Sequence, residues 1–268
     1  MTEPVVVSAE PEQELEPTKR RRISWAEVPW WVVITVLVGI YVVYGMLSDE
    51  KYVEAFRFIL PGVRLTLQVT FLAYGLALVI GLVAGLMRVS KNPVIYAVAT
   101  LYVEIIRGLP MLVILLYAGF VISPAIRDGT NRVIMFSDLQ EAIIGLAIGY
   151  GAYEAEVFRA GIESIHRGQM EAARSLGMGY MQAMRYVILP QAVRRILPPL
   201  GNDFIALLKD SSLIAVLALP DLLQMGRLFV SRTFRAFEGY NSVALLYLVM
   251  TLFLSFLVRM IERRWSID

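Results

Sequence analysis

Two long apolar runs constrain the fold of this chain more than any other feature. Trp30–Leu47 and Leu65–Met87 contain no Asp, Glu, Lys or Arg, and a helix needs about 20 mostly apolar residues to cross the hydrocarbon of a bilayer. Backbone N–H and C=O groups must be paired inside lipid, so such runs are expected to be helical. They also lack the alternation of apolar and polar residues that membrane-barrel strands show. The sequence therefore predicts an all-α membrane protein.

Composition supports this class and excludes several others. The 268 residues are 57% hydrophobic and 18% charged, with a mean hydropathy of +0.63, whereas soluble domains carry about 25% charge. The chain has no Cys, which excludes a disulfide scaffold, thiol chemistry and Cys-based zinc sites. A net charge of +2 gives no sign of a nucleic-acid partner. His166 is the only His and is expected to be a solvated loop residue, so neither a metal site nor a catalytic site is predicted.

Six stretches are predicted to cross the membrane. They are Trp30–Leu47, Leu65–Met87, Val94–Ile122, Ala142–Ile162, Ile196–Leu219 and Val243–Ile261. Residues 1–29 are predicted to be a disordered tail, acidic at first and ending near the basic cluster Lys19–Arg22. The first apolar run is interpreted as an uncleaved helix because it is long enough to span, with a cleaved leader as the alternative. Basic residues favour the side of the tail, which predicts that both termini are cytosolic.

Two pairs of glycines lie one helical turn apart inside apolar runs, Gly81 with Gly85 and Gly145 with Gly149. Small residues at this spacing let two helix backbones approach closely. Chance, a contact within the bundle and a dimer face all remain possible from the sequence alone.

Residues 163–190 predict two short helices joined by a tight turn. Gln169–Leu176 is rich in strong helix formers, and Gly177 can take the positive φ that ends a helix. Tyr180–Leu189 predicts the second helix, which Pro190 is expected to end or kink.

The first of these helices has a small, smooth face. Ala172 and Ala173 form the face, and Glu171 and Arg174 add charge at its edge. Such a helix suits docking into a groove on a partner protein. The alternative is an amphipathic helix lying on the membrane surface, and the chemistry of the residues leaves both open.

The same segment carries a long ordered motif: Glu171-Ala172-Ala173, three residues, Gly177, ten residues, then Ile188-Leu189-Pro190. This order closely resembles the EAA loop of permease subunits of ATP-binding-cassette (ABC) importers. The segments Ala152–Ile162, Glu104–Pro110 and Asn202–Leu213 resemble the polar amino acid branch of these permeases. The resemblance covers roughly Leu60–Arg264.

The resemblance implies a membrane-spanning permease subunit of an ATP-driven importer for polar amino acids, located in the bacterial cytoplasmic (inner) membrane. The implied partners are an ABC ATPase subunit dimer, a second permease chain (identical or homologous), an extracytoplasmic amino-acid-binding protein and the lipid bilayer. Residues 60–264 would form a five-helix type I permease core with a cytosolic coupling loop at 163–190, and residues 30–48 an extra helix ahead of it. That extra span would place the N-terminus in the cytosol, in agreement with the basic cluster.

The chain is not expected to be an enzyme or to hold a cofactor. A phosphate-binding loop needs Gly-Lys-Ser/Thr, and none of the four lysines, Lys19, Lys51, Lys91 and Lys209, follows a Gly. ATP and Mg²⁺ are therefore expected on the partner ATPase.

Two sets of candidate site residues follow. The ATPase-coupling residues implied by the motif are Glu171, Ala172, Ala173, Arg174, Gly177, Leu189 and Pro190. The candidate substrate-pathway residues are Glu104, Arg107, Pro110, Glu154, Glu156, Asn202, Lys209, Asp210 and Ser211. The pathway set is chosen because ionisable residues inside a membrane are costly and tend to be functional, and because Pro198–Asp203 is predicted to be irregular backbone at membrane depth.

Two pairs of pathway candidates also have a structural interpretation. Glu104 and Arg107, three residues apart, could form a structural pair or a gate. Lys209 and Asp210 could reach towards water or face the pathway.

A self-sufficient secondary amino acid carrier or channel is the alternative function. It would show inverted repeats, and none is evident. A membrane scaffold is a third class, against which the charges inside three predicted spans argue. The sequence does not identify the amino acid, since selectivity is expected to depend mostly on the external binding protein.

Overall fold

The computed structural model describes residues 30–265, and every regular element in that range is helical. In chain order the helices are α1 Trp30–Ser48, α2 Glu50–Ile59, α3 Pro61–Val89, α4 Pro93–Arg107, α5 Met111–Tyr117, α6 Ser123–Gly129, α7 Asp138–Glu163, α8 Arg167–Ser175, α9 Tyr180–Ala183, α10 Leu189–Asp210, α11 Leu222–Thr233 and α12 Ala236–Trp265. Among the described residues, 30–47 and 48–265 form separate compact units. The first apolar run is helical as predicted, and the predicted tail lies outside the described residues.

Three helical stretches among the described residues are long and apolar enough to cross a membrane: Pro61–Val89, Met111–Gly129 and Ala236–Arg264. Tyr180–Leu217 and Leu222–Thr233 would add a fourth if the pair, bent by 50°, forms one span. The all-α membrane class is confirmed, and the count of six spans stays a prediction.

The third predicted span, Val94–Ile122, is wrong as a single helix. It divides into α4 and α5 at Gly108–Pro110, where Pro110 has extended backbone and precedes the first residue of α5. Proline lacks an N–H and disfavours helical backbone in the residue before it, so the hydrogen-bond ladder stops there. A π-helical turn at Ala118–Ile122 then joins α5 to α6 and leads into Pro124 in the first turn of α6.

The predicted irregular backbone at Pro198–Asp203 is also wrong, because α10 runs unbroken from Leu189 to Asp210. Proline is tolerated in membrane helices where neighbouring helices support the freed backbone groups. Gly201 lies so close to α12 that a Cβ there would overlap Val258. The segment is therefore a close helix contact and not a break.

Glycine pairs bring three helices together within the chain. A Cβ on Gly81 would overlap the Cβ of Glu154 on α7, and one on Gly85 would lie 2.8 Å from the Cβ of Phe158. Gly145 and Gly149 face α5 and the π-helical turn after it in the same way. Of the alternatives the sequence left open, both pairs serve contacts within this bundle.

The main core lies where α3, α5, α7, α10 and the 3₁₀ turn Ser211–Leu217 meet. Its buried residues are Val69, Ala73, Ala77, Leu115, Ala142, Leu146, Tyr150, Leu207, Ile214 and Leu217. A second core joins α2, α11 and α12 around Ala55, Ile59, Leu222, Phe229 and Val243. No helix was predicted at α2, which is amphipathic and capped at its N-terminus by Asp49.

Candidate substrate pathway and coupling loop

The coupling loop has the predicted two-helix form. α8 ends at Ser175, and Gly177 has φ +87°, so it takes the positive φ expected of it. The second helix begins at Tyr180, as predicted, but Pro190 does not end it. A π-helical turn at Met184–Ile188 precedes Pro190. Pro190 lies in the first turn of α10, a position at which the missing N–H of proline costs no hydrogen bond within the helix.

A small core fixes this loop to the bundle. Ile165, Ile188, Ala192 and Ile196 are buried together under the loop. Arg195 Nη1 on α10 donates to the carbonyl oxygen of Ser164 at 2.6 Å. The loop therefore joins the end of α7 to the start of α10 without a flexible linker.

The candidate coupling residues divide between this core and the outer surface. Ala173 is buried, whereas Glu171, Ala172, Arg174, Gly177, Leu189 and Pro190 are exposed. Large apolar side chains are exposed beside them, among them Leu176 (82%), Tyr180 and Met181. The loop thus presents a mixed apolar and charged surface on a rigid base.

Glu104, Arg107 and Glu156 belong to contacts between helices. Arg88 on α3, whose side chain is 8% exposed, pairs with Glu156 on α7 and lies 3.7 Å from Glu104 on α4. The Arg107 guanidinium lies 5.5 Å from the ring centroid of Tyr153.

We call the set Arg88, Glu104, Glu156, Arg159 and Glu163 the ion-pair network. Arg159 completes it by pairing with Glu156 and Glu163 along α7. Because these charges have partners on three helices, the geometry favours the structural interpretation of Glu104 and Arg107 over a gate.

A second group of charges behaves differently. Glu154 is fully buried beside α3, where Tyr74 is close enough to interact with its carboxylate, although no donor among the described residues meets full hydrogen-bond geometry. It interacts electrostatically with half-buried Asp203 on α10. Tyr150 Oη donates to Asp210 Oδ2 at 2.8 Å, and Tyr74 Oη donates to the Leu200 carbonyl at 2.6 Å.

We call Glu154, Asp203 and Asp210, with the flanking Tyr74 and Tyr150, the acidic cluster. It lies between α3, α7 and α10. Tyr74 and Tyr150 were missed by sequence analysis, which named Asp203 only as the end of a segment. Their roles depend on contacts up to 126 positions apart in sequence, and no local pattern signals such contacts.

The remaining pathway candidates are not part of the acidic cluster. Lys209 and Asn202 are exposed, so Lys209 and Asp210 occupy different environments. Ser211 is buried at the start of the 3₁₀ turn and donates to the Leu208 carbonyl of α10 at 2.7 Å. Pro110 marks the break between α4 and α5.

These features define an all-helical membrane protein with a rigid loop joining two bundle helices and an acidic cluster inside the bundle. Residues 77–267 match the family model described as "Binding-protein-dependent transport system inner membrane component". The chain belongs to this family and is the membrane-spanning permease subunit of a binding-protein-dependent ABC importer.

Relatives and solved structures agree with this assignment. The glutamine transport system permease protein GlnP of Escherichia coli K12 is 38% identical over 213 residues, which are 80% of this chain and 95% of GlnP. An amino acid ABC transporter solved with histidines has a TM-score of 0.71 and 42% identity, covering 79% of this chain and 96% of that one. An inward-facing form of the MetNI methionine ABC transporter has a TM-score of 0.66 and 25% identity, covering 82% and 100%.

Proposed function

We propose that this permease translocates polar amino acids delivered by an extracytoplasmic binding protein, in a complex with an ABC ATPase dimer and a second permease chain. The substrate class is supported by the relatives, which include a glutamine permease and a solved amino acid transporter. ATP hydrolysis is assigned to the partner because this chain has no Gly-Lys-Ser/Thr phosphate-binding loop.

The single observation that carries the coupling part of the proposal is the rigid attachment of the coupling loop. Its buried core and the bond from Arg195 to Ser164 tie it to both α7 and α10. A displacement of α8 by a partner would therefore move two helices that border the acidic cluster. Rigid-body movement of packed helices is the usual way in which such a push is transmitted.

The exposed surface of α8 supports docking of the ATPase. Glu171 and Arg174 lie beside the exposed Leu176, which supplies an apolar anchor with charged neighbours. A short helix of this kind fits a groove on a partner. We also propose that both chain termini lie on the cytosolic side of the membrane, the same side as the coupling loop.

Two glycines offer a matched test of coupling. Gly177→Ala places a Cβ on backbone with φ +87°, which is strained for any L-residue, whereas Gly179 has φ −66° and accommodates Ala. In proteoliposomes with the partner ATPase and binding protein, Gly177→Ala should lower amino acid uptake per ATP hydrolysed, and Gly179→Ala should leave it unchanged. Equal ratios of uptake to ATP hydrolysis in both variants and in the unmodified protein would show that this loop does not transmit the movement.

The absence of Cys makes the membrane orientation directly testable. Single-Cys variants Ser175→Cys on α8 and Asp128→Cys on α6 place a thiol at opposite ends of the bundle. A membrane-impermeant maleimide should label Asp128→Cys in intact cells and Ser175→Cys only after permeabilisation. The reverse pattern would place α8 outside the cell and overturn the coupling proposal.

A further inference from the structure

A cavity of about 230 Å³ lies between α3, α10 and α12, and we call it the α12 cavity. Its walls include Leu78 on α3, Leu197 and Phe204 on α10, and Ile261 on α12. Tyr74 also lines it, but the hydroxyl of this tyrosine already donates to a backbone carbonyl of α10. The wall is therefore apolar over most of its length.

The α12 cavity borders the part of the surface that faces lipid. α12 is one of the helices long and apolar enough to cross a membrane, and Ile261 at the edge of the cavity is 55% exposed. On α10, Leu197 and Phe204 lie about 10 Å apart along the helix axis. An apolar space of this length suits part of an acyl chain, because no polar group of the wall would have to lose its hydration.

Arginines lie where the α12 cavity meets the ends of its two helices. Arg194 precedes Leu197 by three positions on α10, and Arg264 follows Ile261 by three positions on α12, so each is a neighbour of a lining residue on its helix surface. Both arginines are exposed. Arginine can lay its apolar stem along the protein and keep its charged head at the level of the lipid headgroups.

The positive charge at this end of the cavity is not balanced within the chain. Arg259 and Arg263 add two more exposed guanidinium groups on α12, and Glu262, which lines the cavity, is the acidic residue among them. Among the described residues, no ion pair involves Arg194, Arg264 or Glu262. One carboxylate cannot neutralise four arginines, so the charge of this surface is complementary to an anion.

We infer that the α12 cavity binds an anionic phospholipid, with one acyl chain along Leu197 and the phosphate of the headgroup at Arg194 and Arg264. Basic pockets between membrane helices are suited to anionic headgroups, and a guanidinium can bond two oxygens of one phosphate. The lipid belongs to the cytosolic leaflet, because α10 begins directly after the coupling loop. This choice of leaflet rests on the orientation given under the proposed function.

The test compares phosphatidylglycerol, which is anionic, with phosphatidylcholine, which has no net charge. The purified permease–ATPase complex is freed of lipid and titrated with each, and native mass spectrometry counts the bound molecules. The first phosphatidylglycerol should bind at least about tenfold more tightly than the first phosphatidylcholine, the order expected for two arginines beside an anionic headgroup. Combining Arg194→Gln with Arg264→Gln should reduce this preference to less than about threefold.

A matched pair of substitutions controls for net charge. Arg167→Gln combined with Arg185→Gln removes two exposed arginines of the coupling loop, at the same end of the bundle but outside the cavity. This control protein should keep the tenfold preference for phosphatidylglycerol. An equal loss of preference in the control would show that the arginines act through general charge, and it would overturn the inference.

Filling the cavity tests the contact with the acyl chain. Leu197→Trp should weaken phosphatidylglycerol binding by at least about tenfold, since about two CH₂ groups lose their burial. Leu78→Phe fills the same space from α3 and replaces it if Leu197→Trp is poorly folded. Val98→Trp, in the apolar groove between α3 and α4, is the control and should leave binding unchanged. Unaltered binding in both cavity variants would contradict the inference.

Two further results would overturn the inference. The first is equal affinity of the unmodified complex for the two lipids, as expected if the second permease chain covers the cavity. The second is displacement of phosphatidylglycerol by glycerol phosphate, which carries the anion without acyl chains and would indicate a site for a soluble anion.

Failure of the lipid site differs from failure of the proposed function, because the binding test uses neither amino acid nor binding protein. If the complete complex takes up amino acids with ATP but shows no preference for phosphatidylglycerol, the importer stands and the lipid site falls. If phosphatidylglycerol binds as expected but no amino acid is taken up, the lipid site stands and the proposed function falls.

Discussion

Two acidic side chains of α7, only two positions apart, are accommodated in opposite ways. Glu156 is partly exposed and has two arginine partners, Arg88 and Arg159. Glu154 is fully buried and has no arginine or lysine partner among the described residues. Both side chains lie on α7 and face α3, with α10 beside Glu154 and α4 beside Glu156. The difference therefore reflects the placement of arginines and not the general polarity of the bundle.

The comparison shows how structural and functional charge can be distinguished. Paired charges at helix ends hold neighbouring helices together and need nothing further. An unpaired buried charge is costly, so removing it and removing a paired charge should change stability in opposite directions. Substitutions can therefore break each environment separately.

Arg88→Met should have the largest effect on stability. It removes a buried guanidinium that joins α3 to Glu156 and Glu104. The loss should be about 3 kcal/mol, the lower end of what breaking a fully buried pair from one side costs, because both acidic partners are partly exposed. The free energy of unfolding in mixed micelles measures this loss. Arg127→Met, at an exposed position on α6, is the control and should change stability by less than about 0.5 kcal/mol. Similar values for both variants would mean that the ion-pair network does not hold the helices.

The sequence predicts a feature when the residues that determine it are close together in the chain, and fails when they lie on different helices. α8, predicted at Gln169–Leu176 and found at Arg167–Ser175, and the turn at Gly177 were predictable because helix formers and a glycine act within a few residues. The irregular backbone predicted from Pro198 and Pro199 was wrong because the effect of a proline depends on the helices packed around α10. The acidic cluster was predictable only in part, since Tyr74 and Tyr150 acquire their roles through partners on other helices.

Gly81→Ala should destabilise the protein by overpacking the contact between α3 and α7 beside Glu154. The added Cβ would overlap Glu154 and lie 3.1 Å from the backbone of Ala155, and overpacking of a tight contact costs about 1–3 kcal/mol. Gly75→Ala on the same helix meets nothing within 4 Å and should be neutral or slightly stabilising. Unfolding of both variants under the same conditions measures the difference. Equal stability would show that α3 and α7 do not need this close approach.

Glu154→Gln should stabilise the isolated permease while impairing its activity. Removing an unpaired buried charge but keeping the shape of the side chain should raise the free energy of unfolding by about 1–2 kcal/mol. Arg88→Met should lower the free energy of unfolding and Glu154→Gln should raise it, and this difference in sign is the informative result. Glu156→Gln is the matched control, because it removes a paired charge and should lower the free energy of unfolding. A loss of stability in Glu154→Gln would indicate that its carboxylate has a stabilising role in the resting protein.

Glu163→Gln should have the smallest effect and would show how exposure weakens a paired charge. Glu163 is half exposed and pairs with Arg159 one turn away, at the outer edge of the ion-pair network. Such a helix pair is worth about 0.3–0.5 kcal/mol and is screened by salt. The destabilisation should therefore be small at low ionic strength and vanish at high ionic strength, whereas the loss in Arg88→Met should persist because its pairing is buried. If the two losses responded equally to salt, burial would not be what distinguishes the inner from the outer part of the network.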